Sequence, residues 1–166
     1  MKATFTEITY FHGSPIIHGK KKVKLPFERV TARALIIRRR DGAIFGARHH
    51  PGAMFALPGG GLKNRETPPE ALLRELEEED IRLVGADEGW RERFAVDYYA
   101  GYRELALWYL ITVDEVALYP NPEIIETRWL AQTDAGWWPY MQEHFVLLIN
   151  RMLPELAKAK IEVIGN

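Results

Sequence analysis

Glu66, Glu75, Glu78 and Glu79 follow three consecutive glycines, Gly59, Gly60 and Gly61, within one short stretch of this 166-residue chain. On a helix, the i, i+3, i+4 spacing of Glu75, Glu78 and Glu79 puts three carboxylates on one face. Like charges so placed repel unless something positive neutralises them. Arg74 lies four residues before Glu78 and does this in part, but one guanidinium cannot balance four carboxylates. A hard divalent cation can, because Mg²⁺ is held by a few carboxylates while water and substrate phosphate complete its shell. The glycines let backbone approach such a ligand closely and adopt positive φ. Glu is also a good helix former, and a run such as Glu77–Asp80 alone more often just solvates an exposed face. The weight therefore rests on the full pattern.

That pattern resembles the box of the Nudix (MutT-like) hydrolase family. The box reads Gly, five residues, Glu, seven residues, Arg-Glu, an aliphatic, any residue, Glu-Glu, any residue, Gly and an aliphatic. Gly60, Glu66, Arg74, Glu75, Leu76, Glu78 and Glu79 stand in register with it, and Leu57-Pro58-Gly59-Gly60 matches the usual lead-in. At ordinary residue usage, the fixed polar and glycine positions coincide by chance on the order of once in 10⁵ chains of this length. The chain departs from the box at its end, where Ile81 and Arg82 replace the Gly and the aliphatic. That Gly normally closes the helix in a left-handed turn, which β-branched Ile disfavours. The helix is expected to exit differently here, with Leu83 taking the aliphatic slot.

The resemblance implies an α/β fold, a Nudix-type α/β/α sandwich with a mixed β-sheet. It also implies a Mg²⁺-dependent hydrolase, with Mn²⁺ as a possible substitute. The substrate would be a nucleoside diphosphate linked to another moiety, cleaved by water attack on phosphorus. It assigns Glu78 and Glu79 as metal ligands, Glu75 as a third ligand or the base, and the Gly59 carbonyl as a further ligand. Arg74 would orient the carboxylates, while Glu66 and Gly60 serve the loop–helix junction. Relatives often place another Glu on a late loop as ligand or base. Glu123 and Glu126 are the candidates here, and a solvated loop acid is the plain alternative for either. Arg48 resembles a phosphate-contacting Arg of some relatives, with a surface salt bridge as the alternative. Phe55, Tyr98, Tyr99, Tyr102 and Trp129 could stack on a base, although aromatics in strands are more often core. Of these, Phe55 and Tyr99 are taken as the substrate-binding candidates. His49 and His50 read as a polar loop sooner than as substrate contacts, and Trp137-Trp138 reads as core. A non-catalytic Nudix-fold module that senses a nucleotide is the other reading. Such modules typically erode their carboxylates, whereas this chain keeps all four.

The elements that must position these groups are legible from periodicity. Residues 3–11 alternate bulky and polar residues and suggest an edge strand. Together with a Gly-Ser-Pro turn and Lys20, Lys21, Lys22 and Lys24, they form a strand/hairpin arm over about residues 1–28. The aliphatic run from Thr31 to Arg38, the Asp41-Gly42 turn and the following AIFGARH predict a hairpin. Thr67-Pro68-Pro69-Glu70 is a helix start with a capping box, and the helix runs to about Asp80 with Leu72, Leu73 and Leu76 on its core side. Two strands are expected at Trp90–Tyr99 and Glu104–Val113; the second is apolar at nearly every position, as in a strand covered on both faces. A Pro-Asn-Pro loop and a short strand around Thr127–Ala131 follow. A second amphipathic helix starts at Pro139, with Met141, Phe145, Leu148 and Met152 at helical spacing, and a last strand is possible at Lys160–Ile164. Strands and helices in this order suit a mixed sheet between helices.

Composition bounds the rest. The length fits a single domain over residues 1–166. Apolar residues are 47%, charged residues 27% and net charge −1, so no global basic field holds a stable nucleic acid partner or an acidic membrane. Without Cys there is no disulfide, thiolate metal site or Cys nucleophile, and any metal must be held by oxygen or imidazole. No apolar run is long enough to span a bilayer and no secretory signal is evident, so a cytoplasmic location is the expectation. The N-terminal arm makes a homodimer conceivable.

Overall fold

The computed structural model describes residues 2–5, 27–99, 102–138 and 161–164. In chain order the strands are β1 (Lys2–Phe5), β2 (Arg29–Arg38), β3 (Ile44–Arg48) and β4 (Gly59–Gly61); helix α1 (Pro68–Glu78) follows, then β5 (Ile81–Val84), β6 (Phe94–Tyr99), β7 (Glu104–Val113), β8 (Glu115–Leu118), β9 (Glu126–Leu130) and β10 (Ile161–Ile164). The main sheet has the order β6-β7-β2-β3-β9, with β4 added to β2. β2 and β7 run parallel, from Arg29 opposite Glu104 to Arg38 opposite Val113, and the other pairs are antiparallel. The sheet is mixed, as expected. β5–β8 and β1–β10 form two-stranded antiparallel pairs of their own.

Parallel neighbours occupy a buried interior, and their sequences say why. Ala32, Ala34 and Ile36 of β2 and Leu105, Leu107, Tyr109 and Ile111 of β7 lie in one core cluster with Leu72 and Leu76 of α1. The intervening residues Leu35, Ala106, Trp108 and Leu110 point to the opposite face by the two-residue strand period, and they too are buried. Each such leucine contributes roughly 1.5–3 kcal/mol through burial. The Asp41-Gly42 turn is built as expected. Gly42 has φ 70°, and Arg38 donates to Asp41 through Nε at 3.0 Å and Nη2 at 2.7 Å.

Several expectations are corrected. Trp90 is not in a strand: Glu88–Glu92 form a 3₁₀ turn, and β6 begins at Phe94. Trp90 is buried and meets the Tyr109 ring edge-on at 5.5 Å, so it anchors the turn. Leu73 is exposed, because a residue next to Leu72 is rotated about 100° off the core stripe. β4, β5 and β8 carried no strand signal. Gly59–Gly61 has no side-chain alternation and becomes a strand only because β2 supplies the ladder. Of the early strand, Lys2–Phe5 is described. The rest of the arm, its lysines and the helix from Pro139 lie outside the described residues. No helix among the described residues is long and apolar enough to cross a membrane.

Candidate active site

Helix α1 turns Ala71, Leu72 and Leu76 into the core, leaves Arg74 and Glu75 half-buried and Glu78 exposed, and ends at its C-cap Glu79, which is itself buried. Its start is secured by Glu70, whose carboxylate accepts from the Thr67 amide and hydroxyl at 2.8 Å each. The three glycines of β4 lie over this surface. Gly59 has φ 134°, and a Cβ there would fall 2.8 Å from the Arg33 Cα, so only glycine fits. Ala34 N donates to Pro58 O and Leu62 N to Val30 O, which makes Gly59 opposite Arg33 a non-hydrogen-bonded pair. The Gly59 carbonyl therefore points out of the β2–β4 ladder. Beside it, the Glu75 carboxylate fills the space where Gly60 lacks a side chain.

Arg74 organises the acids. Its Nε and Nη2 bind Glu66 at 2.6 and 3.0 Å, its Nη1 reaches Glu75 at 2.7 Å and Glu78 at 3.0 Å, and its Nη2 also donates to the Gly61 carbonyl at 3.0 Å. The bonds to Arg74 and a further one from the Lys63 amide pull the Glu66 carboxyl down to about 2. Glu66 is thus a fixed anion at the loop–helix junction. The Lys63 ammonium pairs with Glu78 at 2.9 Å, in solvent on both sides.

Glu79 is different. It caps α1, it is 7% exposed, and its Oε2 is buried without a hydrogen-bond partner. Burial first, then the charges of Glu75 and Glu123, push its carboxyl up to about 7. An acid left in that condition is costly unless a cation shares the site. The donor set, oxygen throughout with one orphaned buried carboxylate oxygen, fits a hard divalent ion. Among the described residues, no three carboxylate or imidazole groups already converge on one point. Arg74 and Lys63 hold Glu75 and Glu78 in their place.

The late loop comes to the same place. Glu123 contributes to the field at Glu79, and its carbonyl accepts from or faces His49 Nδ1 at 3.0 Å. The other ring nitrogen of His49 is 3.7 Å from Glu79 Oε1. A cavity of about 550 Å³ opens beside Glu79, walled by Leu118, Tyr119, Asn121, Ile124, Glu126 and Thr127. Glu126 faces Arg48 across the β3–β9 pair and is ion-paired to both Arg48 and Arg128. Arg48 is therefore placed in a cross-strand salt bridge. The expectation that Phe55 stacks on substrate is corrected. Its ring is 3% exposed, packed edge-on against Trp137 and lying under the guanidinium groups of Arg48 and Arg128, so no face is free for a base. Trp129 also packs inward, against Phe45 and under Arg38. Tyr99 closes β6, and its side chain lies outside the described residues. Sequence reasoning missed Lys63 and Asn121. Lysine in a loop and Asn between two prolines carry no signal beyond solvent and turn.

The site joins an acidic helix to a glycine strand in a mixed α/β fold. The model of the NUDIX domain matches residues 27–149. The chain belongs to the Nudix family and is a hydrolase that acts on a pyrophosphate bond. It is 31% identical over 154 residues to an RNA pyrophosphohydrolase of Xylella fastidiosa, covering 79% of this chain and 78% of that one. An RNA pyrophosphohydrolase of Xanthomonas oryzae pv. oryzae is 32% identical over 133 residues, with 68% of this chain and 62% of that one covered. The fold is similar to an ADP-ribose pyrophosphatase from Streptococcus suis, at TM-score 0.53 and 17% identity over 76% of this chain and 93% of that one.

Proposed function

We propose that this chain is a Mg²⁺-dependent hydrolase, with Mn²⁺ able to substitute, that splits a phosphoanhydride bond in a nucleotide by attack of water on phosphorus. The substrate class is a nucleoside diphosphate linked to another moiety, and the moiety to test first is RNA carrying a 5′-polyphosphate. The similarity of the chain to RNA pyrophosphohydrolases supports that choice. The net charge of −1 provides no field for stable retention of RNA, so a 5′ end would be engaged in passing, as substrate.

The observation that carries the reading is Glu79, a buried acid with an orphaned oxygen at the edge of a cavity. Glu78, Glu79 and the Gly59 carbonyl would hold the ion, and Glu75 would join them or act as base. Bound there, the ion would supply Lewis-acid stabilisation of charge on the phosphate oxygens and lower the pKa of water. The chain itself positions. Arg74 holds Glu75 and Glu78 beside the glycine loop, and Glu66 fixes Arg74. Glu123 is the stronger candidate than Glu126 to take the proton from water. Glu126 is neutralised by two arginines, while Glu123 stands within reach of the field at Glu79.

The test is turnover of a panel in Mg²⁺: 5′-triphosphorylated RNA, ADP-ribose, dinucleoside polyphosphates, nucleoside triphosphates and nucleotide sugars. We expect one class to release phosphate, pyrophosphate or a nucleoside monophosphate, and Glu79→Gln to lower this turnover roughly 10²–10³-fold. Tight binding of a nucleotide with no turnover of any member would reject the catalytic reading.

A further inference from the structure

The box glycine that should close the catalytic helix is absent, and Asn121 stands where its work is done. Helix α1 ends with Asp80 in the left-handed region at φ 55°, one residue before the expected position, which leaves Ile81 extended and buried at the start of β5. The last carbonyls of a helix need donors from elsewhere. The side-chain amide of Asn121 supplies one. Its Nδ2 donates to the Glu78 carbonyl at 2.7 Å and to Asp80 Oδ2 at 3.0 Å, while its Oδ1 accepts from the Glu123 amide at 2.8 Å. Both hydrogens and the oxygen are used, so the group is held in one orientation. The same segment is tied to the sheet at its far end, where Ile125 N donates to Arg48 O at 3.0 Å.

One side chain thus joins the backbone of Glu78 to the backbone of Glu123. We propose that Asn121 is a positioning residue for the hydrolytic reaction, setting the separation between the carboxylates at the end of α1 and the Glu123 carboxylate. This rests on the reading that Glu78 and Glu79 hold the ion and Glu123 acts on water. Asn121 touches neither. It acts through the two backbone groups it binds, and a displacement on the order of 1 Å between such groups costs about 100-fold in rate.

A helix cap and a positioning residue can be told apart. Asp80→Gly relieves the left-handed residue and restores closure of the helix without the Asn121 amide. The experiment compares kcat, KM, thermal midpoint and amide hydrogen exchange over residues 119–125 in wild type, Asn121→Ala, Asp80→Gly and the double variant. The expected result for Asn121→Ala is kcat lower by roughly 10- to 100-fold with KM within about threefold, and faster exchange at Glu123. In the double variant the midpoint returns toward wild type while kcat stays low and exchange stays fast. Recovery of kcat along with the midpoint would reduce Asn121 to a cap and overturn the proposal, as would unchanged kcat or unchanged exchange in Asn121→Ala. Glu123→Gln, run alongside, separates the two readings: full activity there rejects Glu123 as the base, whereas full activity in Asn121→Ala rejects the positioning role.

Discussion

The Glu75 carboxylate occupies the place of a side chain that Gly60 does not have. A Cβ at Gly60 would stand 2.5 Å from each of its oxygens. This contact sets the closest approach of the helix to the glycine loop, and it makes Gly60 a determinant of where Glu75 sits.

Gly60→Ala should therefore fold and fail. Gly60 has no positive φ, so alanine meets no backbone strain there and only the Glu75 carboxylate must move. We expect kcat to fall about 100-fold for a shift of this size, with a stability change under about 2 kcal/mol. Steady-state kinetics and a thermal melt check both numbers.

Arg74→Lys should not behave as a conservative change. Five bonds from one planar guanidinium reach Glu66, Glu75, Glu78 and the Gly61 carbonyl, and an ammonium cannot reproduce that fork. Activity should drop at least about tenfold, as for loss of an outer-shell partner of a metal site, with weaker Mg²⁺ uptake by calorimetry.

The Glu66 partner of Arg74 gives a pH signature. Its carboxyl is depressed to about 2, below its ordinary value of 4.5, so its contribution to stability is present above about pH 4.5 and is lost as pH falls through about 2. Melts of wild type and Glu66→Gln should differ near neutrality and converge toward pH 2. A constant difference across that range would contradict the assignment.

Glu79→Gln should exchange function for stability. In the metal-free protein its carboxyl is raised to about 7 from 4.5, so the fold tolerates its neutral form and is opposed by its charge as pH rises from about 4.5 through 7. Above pH 7 the glutamine variant should be more stable than metal-free wild type by about 1–3 kcal/mol, and the gain should vanish below about pH 4.5. Mg²⁺ should raise the wild-type midpoint at pH 8 and leave the variant unmoved. Turnover should fall roughly 10²–10³-fold, the scale of several kcal/mol of lost charge stabilisation. Stability and activity measured on one preparation decide it.

Much of this was readable in the chain because it is local. The capped helix start at Thr67, the hairpin at Asp41-Gly42 and the buried β7 each follow from neighbours a few residues apart. Trp90 and the strands β4, β5 and β8 were not, because their states depend on partners elsewhere. Trp90 leaves the strand to meet Tyr109, and Gly59–Gly61 becomes a strand only against Thr31–Arg33.

By itself the sequence determined the inventory of the site. A helix period of 3.6 residues places Glu75, Glu78 and Glu79 on one side whatever the rest of the chain does, and the glycines permit close approach. Which acids are quenched and which left in want of a cation was decided by tertiary structure. Glu126 faces Arg48 because β3 and β9 pair in that register. Glu123 comes near Glu79 because β5 pairs with β8 and Asn121 ties the loop beyond to the helix end. Phe55 goes under two arginines into the core. Electrostatic interaction depends on separation in space and on exclusion of water, and neither is encoded by spacing along the chain.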